Sequence, residues 1–343
     1  MFLEELSNIP GVSGDEREVR RFIRAALPKR GVTLQTDAMG NLLVHKGTGR
    51  PMSRVPRIML SAHMDEVGLM ISSIEKTGHL RFRKIGGIDD RVLVSRTVVV
   101  GRDKIPGVIG AKAIHLQKAE ERKKSLEIEQ LFIDIGVRNK EEAEKIVKIG
   151  DYASFDTSCI RLGQDCFMGK AFDDRVGCSI LLELLRQKKT PPFSAAFTVQ
   201  EEVGLRGATV AAYTLKPDLA LVLEGTAASD VPGIKEHQHL TSLGGGPAIS
   251  FMDRSMIVDR ELLEKMIRLA QKNKMPFQLR RFTGGGTDGG SISLSRGGVK
   301  TAVLSVPCRY IHAPSSILKE SDYRHTVDLA RAFLDSAAGW NKN

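Results

Sequence analysis

Two histidines and a group of carboxylates are the residues of this chain whose types and spacing can do chemistry. His63-Met64-Asp65-Glu66 follows one short apolar run, Glu201-Glu202 a second and Glu224 a third. A fourth run leads through Tyr310-Ile311 to His312. Among them, Gly169-Lys170-Ala171-Phe172-Asp173-Asp174-Arg175 opens onto an apolar helical pattern. Imidazole nitrogen and carboxylate oxygen without thiolate suit Zn²⁺, Co²⁺ or Mn²⁺. Two such ions can share one carboxylate and activate one water between them. An adjacent Glu-Glu pair allows a division of labour, with one carboxylate on metal and the other free as a general base.

Each residue also has a plainer use. An Asp of the Asp173-Asp174 pair can cap the following helix, where both acids favour the positive end. Asp65 can cap a turn, Glu201-Glu202 and Glu224 can be polar strand exits, and His63 and His312 can be structural. The case for chemistry is joint: five segments are aimed at the same place. In open α/β sheets, functional groups collect beyond the carboxyl ends of the strands, and that rule selects this set. His237 and His239 have metal-ligand spacing but lie in a Pro- and Gly-flanked loop, so they are read as a surface or wall pair.

The elements that must position these residues follow from periodicity. Ser13 to Glu16 has capping-box spacing before a helical face of Val19, Phe22, Ile23, Ala26 and Leu27. Strands are predicted over 33–36, 41–45 and 57–62, the last running into His63. From Gly68 the texture becomes short β-segments: 69–74, 80–85, 92–100, 107–111 and 131–135, with a charged excursion from Gln117 to Gln130 and a short helix over 139–148. Beyond Lys170, helices over 174–187, 207–215, 259–272 and 319–336 alternate with strands over 195–200, 218–223, 277–281 and 300–306. Such alternation predicts an α/β fold with a mainly parallel sheet flanked by helices. The division read here is a first catalytic part over 1–67, an inserted β-rich unit over 68–165, and a second catalytic part over 166–343.

Composition excludes several classes. The 343 residues allow real cores. No apolar run approaches the roughly 20 residues of a membrane span, and the start lacks a signal-peptide pattern, so a cytoplasmic protein is expected. The net charge of +10 is scattered, and one Trp and four Tyr leave no basic stripe interleaved with aromatics. Nucleic-acid and membrane partners are not expected. Cys159, Cys166, Cys178 and Cys308 show no paired spacing, which argues against a disulfide framework or a zinc ribbon.

These motifs resemble those of the TET, or glutamyl aminopeptidase, family of di-metal exopeptidases, some members of which carry the label endoglucanase or cellulase M. The resemblance runs over essentially the whole chain. It rests on Pro10-Gly11-Val12-Ser13-Gly14, Ala62-His63-Met64-Asp65-Glu66-Val67-Gly68 and Gly169 to Arg175. Gln200-Glu201-Glu202-Val203-Gly204-Leu205-Arg206-Gly207 and Tyr310-Ile311-His312-Ala313-Pro314 complete it, and Gly286-Thr287-Asp288-Gly289 resembles a substrate-pocket loop.

The resemblance implies a zinc-exopeptidase-like fold interrupted by a PDZ-like domain. It also implies two divalent ions, Zn or Co, with His63, Asp173 and Glu224 holding one and Asp173, Glu202 and His312 the other. Glu201 would be the general base and then the acid, and Asp65 would orient His63. Thr287, Asp288 and Gly289 would bind substrate. Position 224 is often Asp in the family, whereas this chain has Glu. Peptides would be the substrates, and dimers building a tetrahedral homododecamer the assembly. Three alternatives stand beside this one. They are a related di-metal deacylase, a glycoside hydrolase working with two carboxylates and no metal, and a scaffold that has lost its chemistry.

Overall fold

The computed structural model describes residues 1–47, 56–281 and 284–336. Two runs that are apolar almost throughout, Ile58–His63 and Leu219–Ala228, are buried along nearly their whole length and form the middle of a large sheet. Burial on both faces is what a continuous apolar strand requires. Alternate residues serve opposite faces. Ile58, Leu60, Leu219, Leu221 and Leu223 join the larger core with Val176, Leu181 and Phe333, whereas Met59, Ala220 and Val222 join Ala208, Ala211 and Val303 in a second one. The helices Phe172–Arg186 and Glu320–Asp335 thus cover one face and Arg206–Leu215 the other.

Among the described residues this sheet has eleven strands. Along its main path they run Val32–Thr36, Leu42–Lys46, Phe193–Thr198, Ile58–His63, Leu219–Ala228, Lys300–Arg309, Ser316–Lys319, Cys166–Gly169 and Ile160–Leu162. Ala248–Ser250 and Gln278–Arg280 branch from Lys300–Arg309. Only the central neighbours from Phe193–Thr198 to Lys300–Arg309, with the pair in the branch, are parallel. The other pairings are antiparallel, so the sheet is mixed rather than mainly parallel as its periodicity predicts. The reason is local. Flanking strands such as Lys300–Arg309 and Ser316–Lys319 are joined by turns too short for a parallel crossover.

A second set of strands closes into a six-stranded barrel: Gly68–Ile74, Leu80–Ile85, Leu131–Asp134, Ile105–Ala111, Thr97–Val100 and Tyr152–Phe155. Leu69, Ile71, Leu80, Val98, Ile109 and Ile133 fill it as a core of its own. The strand expected over 92–100 is shorter, because Asp89 accepts the Arg91 N–H and starts a 3₁₀ turn at Asp90–Val92. Residues 319–336, expected as helix, begin with the end of a strand, Ser316–Lys319. No helix among the described residues is long and apolar enough to cross a membrane.

Candidate metal centre

His63, Glu201-Glu202, Glu224 and His312 all come from the carboxyl-end side of the four parallel strands. His63 is the last residue of Ile58–His63 and pairs with Thr198, the last of Phe193–Thr198. Glu201 and Glu202 follow that second strand after Val199 and Gln200, since it ends at Thr198 rather than at the expected residue 200. Glu224 lies inside its strand, not at its end. Its neighbour Ile58–His63 stops pairing at Val222, and Glu224 stands just beyond. His312 lies in the turn between Lys300–Arg309 and Ser316–Lys319. The positions that aim these groups hold uncommon backbone. Ala171, Gln200, Tyr310 and His312 all have left-handed φ between 54° and 62°. For residues with a Cβ, that conformation costs on the order of 1–3 kcal/mol each and clusters at functional sites.

The Asp173 carboxylate lies between the two imidazoles. Its Oδ1 is 3.2 Å from His63 Nε2, and its Oδ2 is 3.3 Å from His312 Nε2. Glu224 Oε1 is 3.1 Å from the same His63 nitrogen, and Glu202 Oε1 is 3.3 Å from the same His312 nitrogen. Glu201 Oε2 stands 4.0 Å from His63 Nε2, beside the set. Asp174 is spent differently: its Oδ2 accepts the His63 N–H at 3.0 Å and its Oδ1 accepts the Gly177 N–H at 2.9 Å. The capping use and the chemical use expected of this Asp-Asp pair are therefore divided between its members. Asp174 caps the regular part of the helix, and Asp173 faces the imidazoles.

Asp65 is fully buried and joins three segments. Its Oδ1 accepts the Glu201 N–H at 3.0 Å, and its Oδ2 accepts the Glu202 N–H at 3.2 Å and the Ser13 hydroxyl at 2.6 Å. Its backbone carbonyl lies 3.1 Å from His63 Nδ1. Ser13 is thus not the N-cap its spacing predicts. The helix starts at Arg17 without a side-chain cap, because the hydroxyl finds a buried carboxylate instead. Thr287, Asp288 and Gly289 are buried. Thr198 donates to Asp288 at 2.5 Å and Thr287 to Asp253 at 3.1 Å, which places both side chains in a wall behind the cluster rather than on its open surface. His237 and His239 are not in the cluster. Their loop is exposed, and His239 faces Ser242.

Burial dominates the electrostatics. It pushes the Glu224 carboxyl up to about 8, against the pull of His63. It likewise raises Glu201 well above the usual carboxylate range, with the negative charges of Glu224 and Glu202 adding to it. Burial alone would pull His312 down, but Asp173 and Glu202 hold it up at about 11. The imidazoles are the cluster's internal counter-charges. Even so, Glu224 Oε2 is buried with no hydrogen-bond partner among the described residues, and Glu202 Oε1 has no aligned hydrogen bond beyond its 3.3 Å approach to His312 Nε2. Two under-satisfied carboxylate oxygens in a pocket of imidazole and carboxylate donors fit a divalent cation on chemistry alone. Two groups bring ligand atoms within 4.8 Å of one another: His63, Asp173 and Glu202, and His63, Asp174 and Glu224. Because both Asp174 oxygens already accept backbone N–H groups, Asp173 is the acid free to serve a metal.

A family model described as M42 glutamyl aminopeptidase matches residues 40–329. The chain belongs to that family. A TET aminopeptidase from a Thaumarchaeota archaeon of marine sediment is 38% identical, covers 97% of this chain and 94% of its own, and has a TM-score of 0.90. The TET1 peptidase of Pyrococcus horikoshii, which can assemble into a tetrahedron or a large octahedral shell, is 37% identical over 97% of this chain and 98% of its own, with a TM-score of 0.84. The lysyl aminopeptidase of Pyrococcus furiosus is 31% identical over 97% of this chain and 96% of its own. This M42 protein is accordingly an aminopeptidase, a hydrolase of peptide bonds from a metal-dependent family.

Several residues that hold the M42 site together carry no readable signal of their own. Lys170 is buried and donates to both oxygens of Glu66, at 2.6 and 2.7 Å, and contacts Ser154 of the barrel at 3.0 Å. Glu66 also accepts the Gly11 N–H at 2.8 Å. Arg175, fully buried, donates to the carbonyls of Met64, Leu6 and Ile9. These charges stand inside the motif stretches, where sequence alone cannot separate a ligand from its support. Only an ionic residue in an otherwise apolar stretch hints at a buried pair.

Proposed function

We propose that this chain removes N-terminal residues from peptides with two divalent ions, His63, Asp173 and Glu224 holding one and Asp173, Glu202 and His312 the other. The observation that carries this reading is the Asp173 carboxylate, which presents one oxygen to each imidazole at 3.2 and 3.3 Å. Bound there, Zn²⁺ or Co²⁺ would lower the pKa of a water and polarise the scissile carbonyl. The residues supply the rest. Glu201, beside His63 but outside both triplets, takes the water's proton and returns it to the leaving amine. Asp65 fixes the Glu201 and Glu202 N–H groups and so holds base and ligand in register. Thr287, Asp288 and Gly289 shape the wall of the substrate pocket. The longer Glu224, in place of the family's frequent Asp, reaches His63 Nε2 at 3.1 Å.

The inserted unit, 68–165, is read as the assembly module, with a PDZ-like role. Ile114, Leu116 and Ile149 are 68%, 64% and 67% exposed, apolar surface that a partner copy would cover. With the assemblies of the P. horikoshii relative, this supports dimers building a closed homo-oligomer, a tetrahedral dodecamer, in the cytoplasm. Light scattering on the purified protein checks the assembly.

The activity is tested with a panel of acidic, basic and aliphatic aminoacyl p-nitroanilides and N-acetylated controls, before chelation, after it, and after Co²⁺ or Zn²⁺ is restored. Metal-dependent release from free-amine substrates alone is expected. No p-nitroaniline release under any metal from folded protein would favour a deacylase if acetate is freed from the N-acetylated controls, and an inactive scaffold if it is not.

A further inference from the structure

The strand Leu80–Ile85 belongs to the barrel, yet the turn that leaves it, Gly86-Gly87-Ile88, reaches the metal centre. The Gly87 carbonyl lies 3.1 Å from His312 Nδ1. A carbonyl can only accept, so Nδ1 carries a proton, and it is Nε2, beside Asp173 and Glu202, that would give up its proton to a cation and offer its lone pair. Gly86 stands beside the other member of that pair. A Cβ there would fall 3.3 Å from Glu202 Cβ and 2.7 Å from Val67 Cγ1, and φ at Gly86 is +79°. At Gly87 a Cβ would meet His312 Nδ1 at 3.4 Å. At Gly86 only a residue without a side chain lets the backbone come so close, whereas at Gly87 a Cβ would make ordinary contact with the ring. The turn is itself held in place. Lys84 donates to the Ile88 carbonyl at 2.9 Å and pairs with Asp90 at 2.5 Å, while Ile88 is 4% exposed.

We infer that the Gly86-Gly87 turn is a positioning element for the ion held by Glu202 and His312, so that the barrel sets the occupancy of one metal position and not of the other. The inference rests on the two-metal reading. Its logic is that of any histidine ligand: the group behind Nδ1 fixes tautomer and ring direction, and its loss weakens metal binding about 10- to 100-fold. His63 is backed instead by Asp65, two residues along its own segment. His312 depends on a backbone carbonyl 225 residues away in sequence, on a different sheet.

The test is calorimetric titration of metal-free protein with Co²⁺, joined to metal content after dialysis at fixed free Co²⁺. Wild type should take up two ions per chain. Gly86→Ala should weaken one step about 10- to 100-fold and leave the other within about twofold. Gly87→Ala and Lys84→Ala should do the same to a smaller degree, and they carry the test if Gly86→Ala does not fold. Excess Co²⁺ should restore kcat in each variant that folds, which a general loss of structure would not allow. Equal weakening of both steps, or no change in either, overturns the inference. A single step in wild type overturns the two-metal reading beneath it, so the two failures are distinct.

Discussion

His63 and His312 face the same carboxylate from opposite sides, yet the chain holds them by different means. His63 closes a fully buried strand, its side chain is 1% exposed, and Asp65 stands behind it. His312 stands in a turn, its side chain is 36% exposed, and a carbonyl from the barrel stands behind it. Both Nδ1 atoms have a backbone carbonyl at 3.1 Å, but only His63 also has a carboxylate oxygen beside it, Asp65 Oδ1 at 3.4 Å, whose charge adds to the hold. An enclosed side chain also has less rotamer freedom left to lose. One half of the centre is therefore built into the sheet, and the other is set by how the barrel sits. The difference teaches that a carboxylate shared between two imidazoles does not make their supports equivalent.

The largest expected effect leaves that difference untouched. Glu201→Gln keeps the shape of the side chain and the Asp65 bond to its N–H, but removes the carboxylate proposed as the base. We expect kcat to fall about 10³-fold with two ions per chain retained, since a positioned base contributes about 10²–10⁴. Turnover near wild type would remove Glu201 from the chemistry. Loss of an ion would move it into one of the two halves.

Next comes the link between the halves. Lys170 lies three residues before Asp173 and pairs with Glu66, three residues after His63. Lys170→Met leaves the buried Glu66 carboxylate with Arg175, 3.7 Å away, as its remaining counter-charge, at a cost of up to about 3 kcal/mol. Urea unfolding should show that loss, and adding Glu66→Met should return part of it. An unchanged midpoint in the single variant would mean that the pair contributes no tie between the two motifs.

Asp65→Asn separates the halves most directly. It removes the charge behind His63 and disturbs the bonds from Ser13 and Glu202 N–H, while His312 keeps its carbonyl. Co²⁺ affinity should fall about 10- to 100-fold at the His63 step, and by much less at the other, where only the bond from the Glu202 N–H is disturbed. The step lost should be the one that Gly86→Ala spares. If both variants weaken the same step, the contrast between a sheet-held and a barrel-held position fails.

What could be read beforehand follows the same line. The central strands were legible because Ile58–His63 and Leu219–Ala228 are apolar almost throughout, and a doubly buried strand has no other way to be written. Ile160–Leu162, Ala248–Ser250 and Ser316–Lys319 were not. Strands of three or four residues show too little periodicity to be read, even where the partner lies a few residues away, as it does for Ile160–Leu162 and Ser316–Lys319. At the site, residue type and strand-end position named the imidazoles and carboxylates. Local rules misjudged the neighbours wherever a tertiary partner outbid the local one. Ser13 has ideal cap spacing but donates to Asp65, 52 residues on. Gly86-Gly87 reads as an ordinary turn, because nothing in a pair of glycines names the histidine that approaches them.

The smallest effect expected concerns Glu16, which lies under the loop serving both halves. Its Oε1 accepts the Gly14 N–H at 2.7 Å and the Gln200 N–H at 3.2 Å, and the side chain is buried. Burial, opposed by the Gly14 bond and reinforced by the Asp65 charge, raises its carboxyl to about 7. The folded state thus binds a proton that the unfolded chain releases near 4.5. Stability from this group is complete below about pH 4.5 and is lost as pH rises to about 7, above which both states are ionised. The shift sets a ceiling of about 3 kcal/mol on the loss. Glu16→Gln keeps an oxygen for both N–H groups and carries no charge at any pH. We expect it to be more stable than wild type by about 1 kcal/mol at pH 8, less than the ceiling because a buried amide has donors of its own to satisfy. At pH 4.5 the two proteins should be nearly equal. Urea unfolding at the two pH values, without and then with Co²⁺, reads the difference. A gain of the same size at both would assign it to packing rather than to charge. A gain that vanishes once Co²⁺ is bound would show that the ions, through Asp65 and the Glu201-Glu202 loop, already relieve the burial of this acid.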